Sequence, residues 1–294
     1  VIRSVRWKGA GFTAPFLIGF VFLFLVPIGY AIWQSLFLEQ QSGLGLGGTT
    51  TQFVGLRNYG HGFTDSDFLG SVWRVFLFAC VQVPVLLTIS LLMALLLDSV
   101  TARAAARFRP ILLVPYMIPG IVAAIVWVNL YSPLVGPLTP LGKALGFSWN
   151  FFAPAMVWPS IGNLLTWHGI GYQMLILYAA LQAVPRELFD AAHVDGASEL
   201  RLALSIKIPA VRPALVLTGM LSIIGMLQIF NEPMLFRHVT PQTVTAGFTP
   251  IMVIYNEAFN AGDYDYAAAL SVILAAILGV ASYLFYRFTS REIA

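Results

Sequence analysis

The run DAAHVDGASELRLALSIKIP, Asp190–Pro209, is a polar, helix-prone insert between two strongly apolar stretches. Pro185 suits the first turn of a helix, and Glu187 and Asp190 favour its positive amino-terminal end. Leu188, Ala191 and Ala192 then fall on neighbouring helical faces. Asp195-Gly196 offers a turn, because glycine tolerates positive φ, and Ser198 can cap a second helix through Leu204. Pro209 limits its continuation. Two short helices joined by such a turn form a rigid knob, and the two alanines permit close approach by another protein. On local pattern alone, an amphipathic pair that merely caps a bundle stays open as the alternative.

Outward from this insert the chain is strongly apolar. Of its 294 residues 59% are hydrophobic and 10% charged, against roughly 25% charged in an average soluble domain. Apolar runs cover about Phe12 to Trp33, Val75 to Leu97, Ile111 to Leu130, Met156 to Leu181, Val211 to Phe230 and Ala267 to Phe288. Each approaches or exceeds the ~20 residues that cross a bilayer as a helix. The strands of a β-barrel would be shorter and alternate in polarity. The expected architecture is therefore an all-α polytopic membrane protein of about six helices. It reads as one transmembrane domain over residues 1–294 with its core at about 70–288, leaving no room for a soluble catalytic domain.

Basic residues are distributed unevenly around these spans. Arg3, Arg6, Lys8, Arg103, Arg107, Arg109, Arg186, Arg201, Lys207, Arg212, Arg287 and Arg291 fall on one side, and Arg57, Arg74, Lys143 and Arg237 on the other. The positive-inside rule makes the first side, and both termini, cytoplasmic. This bias also explains the net charge of +3; contact with anionic membrane lipid is sufficient, and no nucleic-acid partner is implied. Cys80, the sole cysteine, cannot form an internal disulfide and reads as a packing residue. The basic start resembles a secretory signal, but the apolar run after it is long enough to span and lacks an obvious cleavage site, so it reads as a retained first helix.

Three segments are expected outside. Glu39–Gly70 carries LGLGG and three consecutive threonines, a low-complexity, flexible composition. Ser132–Pro154 holds four prolines, which disfavour a long helix and suit a short lid. Pro233–Tyr266 ends in Gly-Asp-Tyr-Asp-Tyr, an acidic surface open to two readings, a solute-binding-protein contact or a solvated loop. Asp98–Arg109 reads as a short basic cytoplasmic turn region. Pro84, Pro119, Gly120 and Gly225 permit kinks or close helix contacts, with static packing the favoured reading.

The spacing Asp190-Ala191-Ala192, three residues, Gly196, nine residues, Ile206, one residue, Ile208-Pro209 resembles the EAA loop of ATP-binding-cassette importer permeases. The sequences FVGLRNY at Phe53–Tyr59, RFRPILLVPYMIP at Arg107–Pro119 and ALQAVPRELFDAAHVDGA at Ala180–Ala197 extend the likeness over essentially the whole chain, to the MalF-type permeases of carbohydrate importers. The resemblance implies a type I importer permease fold in a bacterial or archaeal cytoplasmic membrane. It also implies that Asp190, Ala191, Ala192, Asp195, Gly196, Ile206 and Pro209, in a coupling loop at about 184–210, dock a cytoplasmic ATPase. The implied partners are a second, similar permease, two ATPase subunits that use ATP and magnesium, an external solute-binding protein or lipoprotein, and a carbohydrate. No cofactor is expected on this chain. Asp190 and Ile208 stand where the family usually has Glu and Leu.

The fourth apolar run carries Trp167-His168-Gly169-Ile170-Gly171-Tyr172-Gln173, too polar and aromatic to face lipid alone. Aromatic rings cover the apolar faces of sugars while amides and hydroxyls exchange hydrogen bonds with sugar hydroxyls. By resemblance Trp167, Gly169 and Tyr172 match the maltose permeases, whose Gly and Tyr border bound sugar. His168 is equally suited to bonding a neighbouring helix. Gln228 and Asn231 are further pathway candidates, with interhelical hydrogen bonding as the competing role.

There is no GxxxxGK[ST] loop, no HExxH and no Cys/His cluster, and His61, His168, His193 and His238 are dispersed, so the chain lacks the sequence basis for nucleotide or metal catalysis. An ion-coupled secondary transporter is the rival class, but apart from Glu232 the acidic residues lie in loops or at span ends. An importer of glycerol-phosphate esters is the rival within the family.

Overall fold

The structure is a computed structural model describing residues 12–41, 49–99, 102–147 and 149–290. Arg3, Arg6, Lys8, Arg291 and the LGLGG run lie outside the described residues. In chain order the elements are α1 (Phe12–Gln34), β1 (Phe37–Gln41), β2 (Thr49–Phe53), α2 (Arg57–Gly62), α3 (Ser66–Ser99), α4 (Ala102–Met117), α5 (Gly120–Tyr131), α6 (Leu138–Ala144), α7 (Val157–Gln182), α8 (Arg186–Val194), α9 (Glu199–Leu202), α10 (Arg212–Leu227), α11 (Asn231–Val239), α12 (Pro250–Tyr255) and α13 (Tyr264–Ser290). Among the described residues five spans are long and apolar enough to cross a membrane: α1, α3, α7, α10 with α11, and α13.

The third expected span is broken. Residues 106–117 and Gly120–Tyr131 are bent by 89°. Pro110 and Pro115 stay inside α4. Pro119 instead takes an extended backbone, φ −52 and ψ 134, and the ring of a proline pushes the residue before it out of the helical region. Pro119-Gly120 is therefore a break and not a site of static packing, whereas Pro84 remains within a continuous α3.

Other expectations shift as well. Arg107 and Arg109 belong to α4, so the turn region after Asp98 is shorter than its composition suggested. The segment expected to start outside at Pro233 stays helical to Val239. Cys80 is exposed, not packed. The first external segment is not all coil or helix, since β1 and β2 pair antiparallel with Phe37 opposite Phe53. Among the described residues of Ser132–Pro154 only the seven-residue α6 is helical.

Two compact units divide the chain, Val1–Leu69 with Val253–Ile277, and Gly70–Met252 with Leu278–Ala294. In the first, Asn58 Nδ2 donates to the carbonyls of Ser35 and Phe37 at 3.0 and 2.8 Å, pinning α2 under the hairpin. Asp65 caps α3: its Oδ1 accepts from the backbone N–H of Asp67 and Phe68 at 2.9 and 3.0 Å, and its Oδ2 from the Tyr266 hydroxyl at 2.7 Å. Burial pushes the Asp65 carboxyl up, but the Phe68, Tyr266 and Asp67 bonds with the His61 charge outweigh it and hold it below its ordinary 3.8. Glu257 is held above its ordinary value by burial and the charges of Asp263 and Asp65, against His61.

The sign for Asp65 follows from the depressed folded value. Its stabilisation is present above the unfolded value of 3.8 and lost as pH falls through the folded one. Asp65→Ala is expected to cost about 1 kcal/mol at neutral pH. In nanodisc melting experiments the gap in Tm from wild type should narrow below pH 3.8.

The second unit is built around α7. Ala94 and Leu97 of α3, Met174, Leu177, Tyr178 and Leu181 of α7, and Val211 form one buried cluster, with Leu112 of α4 packed against it. A second joins Ala79, Val83 and Leu86 to Met226. Polar side chains fix the register: Gln82 Nε2 donates to the Gly162 carbonyl at 2.9 Å and to Thr166 Oγ1 at 2.8 Å. Tyr131 donates to the Ser160 carbonyl at 3.1 Å and accepts from Asn163 Nδ2 at 2.8 Å. Gly171 permits the closest approach: a Cβ there would sit 1.9 Å from the Leu112 carbonyl oxygen on α4.

Candidate functional site

The knob forms as its sequence predicts. α8 starts after Pro185 and ends in a left-handed turn at Gly196, φ +77. The Gly196 N–H donates to the His193 carbonyl at 3.0 Å, and the Ala197 N–H to the Ala192 carbonyl at 2.9 Å. This paired closure satisfies the last carbonyls of the helix and needs a residue at ease with positive φ. Ser198 Oγ accepts from the Arg201 N–H at 3.4 Å to start α9. Helical backbone then continues past Leu204 through Ala203–Lys207 and Ile208–Ala210. Pro209 sits in the opening turn of that last piece, so it does not end the helix.

Asp190, Ala191, Asp195, Gly196 and Pro209 are exposed, while Ala192 and Ile206 are half-buried. Around them Leu188 is 52%, Leu200 70% and Val194 88% exposed. Their exposure makes the knob an apolar, small-residue surface.

Behind the knob lies a cavity of about 620 Å³, lined by Asp190, His193 and Phe189 of α8, Arg109 of α4 and Tyr178 of α7. Arg109 donates to the Tyr178 hydroxyl and lies over the same ring, 4.2 Å from its centroid. Deeper in, Lys207 Nζ meets Asp98 Oδ2 at 2.6 Å, with side chains 8% and 9% exposed.

The second group of candidates gathers at the helix break. Because Pro119 breaks the α-helical ladder, the Ile118 carbonyl needs another partner. His168 Nε2 lies 3.0 Å from it, so that nitrogen carries the proton. Tyr172, one turn on, stacks on Tyr116 with centroids 4.6 Å apart and planes at 12°. Trp167 packs edge-on to Trp127 at 5.7 Å. Gly169 turns to another face: a Cβ there would lie 3.5 Å from Leu86 of α3. Gln228 and Asn231 are exposed at the junction of α10 and α11.

The sequence reading passed over two members of this group. Tyr116 stood only inside a family likeness, and Glu232 had no role. The Glu232 carboxylate oxygen comes to 3.6 Å of the position a Cβ on Gly120 would take. The signal for both was Pro115 to Gly120, a proline-glycine run inside an apolar span. Irregular backbone at membrane depth persists where it is buried in protein or lines a cavity.

Residues 65–294 match the family described as the binding-protein-dependent transport system inner membrane component. The chain belongs to that family. The permease is 31% identical over 298 residues to the sn-glycerol-3-phosphate transport system permease protein UgpA of Escherichia coli and to that of Shigella flexneri, covering 100% of this chain and 97% of each relative. Its fold matches a chain of the bacterial alginate ABC transporter in complex with an alginate pentasaccharide-bound periplasmic protein. There the TM-score is 0.84 at 18% identity, over 99% of this permease and 96% of that chain. A chain of the inward-facing MetNI methionine ABC transporter matches at TM-score 0.51 and 16% identity, over 77% of the permease and 94% of that chain. The permease is thus a multi-pass inner-membrane transport component of the MalF/UgpA type with a type I ABC importer fold.

Proposed function

We propose that the permease is the membrane subunit of an ATP-driven importer of mono- or oligosaccharides, with residues 1–294 acting as one permease domain and 184–210 as its coupling loop. It forms half of the pathway with a second homologous permease, and an external solute-binding protein delivers the sugar. Two cytoplasmic ATPase subunits bind and hydrolyse ATP with magnesium, and both termini face them. Closure of the ATPases pushes the knob and switches the paired bundles between outward- and inward-facing states. The observation that carries this reading is the knob itself, where Leu188, Val194 and Leu200 stand exposed around Ala191 and the Gly196 turn. Apolar side chains in such a cluster suit burial against a protein partner.

For the solute, the stacked Tyr116 and Tyr172 with His168 and Glu232 offer an aromatic face beside hydrogen-bonding groups. That combination suits a sugar ring. A glycerol-phosphate ester is the second reading, favoured by the cargo in the names of the 31% identical relatives.

The test is ATP hydrolysis by the reconstituted complex, with binding protein and a panel of glucose, xylose, maltose, maltotriose and sn-glycerol-3-phosphate. A neutral sugar is expected to stimulate most. Greatest stimulation by the phosphate ester would replace the sugar reading, and uptake without ATP by this chain alone would overturn the importer reading. Tyr172→Ala is expected to weaken stimulation by the preferred sugar through loss of a stacking face, about 0.5–1.5 kcal/mol or 2- to 13-fold in apparent affinity. The titration of hydrolysis against sugar concentration checks it.

A further inference from the structure

Asp98 and Lys207 each occupy a position that local physics disfavours. Asp98 stands in the last turn of α3, where the negative end of the helix dipole repels a carboxylate. Lys207 is only 6% exposed, and a buried ammonium loses its hydration. Together they form the 2.6 Å pair, although they lie far apart in sequence and on separate elements. The carboxylate has a second partner: its Oδ1 accepts from Gln182 Nε2 at 2.8 Å. Gln182 ends α7 just before the coupling loop, and Lys207 lies where the loop returns to α10. One carboxylate therefore grips both ends of the loop.

The loop is joined by the chain itself to α7 and α10 and follows them directly. α3 has no such covalent link: beside the apolar packing of Ala94 and Leu97 against α7 and Val211, its last turn reaches the loop through Asp98. Apolar packing is non-directional, whereas a hydrogen-bonded carboxylate fixes one geometry, and the doubly bonded Asp98 supplies that contact. We propose that Asp98 is a positioning residue that locks the cytoplasmic end of α3 to both ends of the coupling loop, so that α3 moves with the loop when the ATPases close. The proposal rests on the reading of 184–210 as the coupling loop.

The experiment uses the full complex in nanodiscs, with spin labels at the exposed Ser99 and Ser205 and distances compared between nucleotide-free and ATP-magnesium states. In wild type the label distribution should be the same in both states, because α3 and the loop move as one. Asp98→Leu with Lys207→Met keeps an apolar contact; such replacements of buried ion pairs are often neutral or stabilising. This double variant should copurify with its ATPases and melt as wild type does. Its label distribution should shift between states, and transport of the most stimulating panel sugar per ATP hydrolysed should fall at least about fivefold. Asp98→Lys with Lys207→Asp restores pairing, and the Gln182 amide can turn to offer its oxygen, so this swap should recover coupling to within about twofold of wild type.

An apolar pair that keeps wild-type distances and coupling would overturn the proposal, as would a swapped pair no better coupled than the apolar one. If the apolar pair fails to assemble, Gln182→Leu removes the upstream bond from an exposed side chain. It should lower transport per ATP, and wild-type behaviour would again overturn the lock. Gly196→Val separates the two failures. If it leaves ATPase coupling intact, the loop reading itself fails; if it uncouples while the apolar pair behaves as wild type, only the lock fails.

Discussion

Gly171→Ala is expected to force α4 and α7 apart and destabilise the bundle. The added Cβ would lie 1.9 Å from the Leu112 oxygen, 2.8 Å from its carbonyl carbon and 3.1 Å from the Leu113 Cα. All three are backbone atoms of α4, so no side chain can swing aside and the helices must separate. Overpacking of this kind costs about 1–3 kcal/mol and occasionally more. For a chain of this size that is a loss of roughly 2–12 °C in Tm. The separation also pulls α7 from the helix break, where His168 meets the Ile118 carbonyl. Sugar-stimulated hydrolysis should therefore fall along with Tm. A variant that melts within about 1 °C of wild type would show that α4 and α7 do not approach so closely.

The second large effect concerns coupling and leaves the bundle intact. Gly196 has φ +77 with open space around its missing Cβ, so substitution there is opposed by backbone strain and not by a clash. An L-residue in the left-handed region costs roughly 1–2 kcal/mol, and asparagine is among the few that visit it. A β-branched residue is a true outlier there. Gly196→Val should therefore open the α8–α9 turn and reduce sugar-stimulated ATP hydrolysis about 5- to 30-fold, the factor equivalent to that strain. Gly196→Asn should retain most of the stimulation. Melting of the permease should change little in either variant, because the residue is exposed. Full stimulation in Gly196→Val would remove the loop from the coupling path.

The two candidate groups differed in how readable they were. The knob is local: Gly196 and Ser198 act within a few residues, through left-handed closure and capping, where the sequence puts them, and Pro185, expected in the first turn, stands one residue before it. The helix break is not local. Pro110, Pro115 and Pro119 lie in one run, and only Pro119 interrupts the helix. Nothing in their spacing distinguishes it, because what settles the matter is which freed carbonyl finds a donor, and that donor is His168, 50 residues on. Gly169, matched to a sugar-bordering position by resemblance, faces Leu86 of α3, a neighbour 83 positions earlier that local pattern does not show.

Hydropathy by itself determined the number of apolar runs, because each must exceed the thickness of a bilayer whatever its neighbours do. Local backbone preference determined the knob. Only the tertiary structure decided the 89° bend of the third span, the glycine on which α7 meets α4, and the pairing of Asp98 with Lys207. Each of these depends on the distance between groups far apart in the chain. A carboxylate at a helix end or a lysine in an apolar segment looks misplaced until folding brings the two within hydrogen-bonding reach.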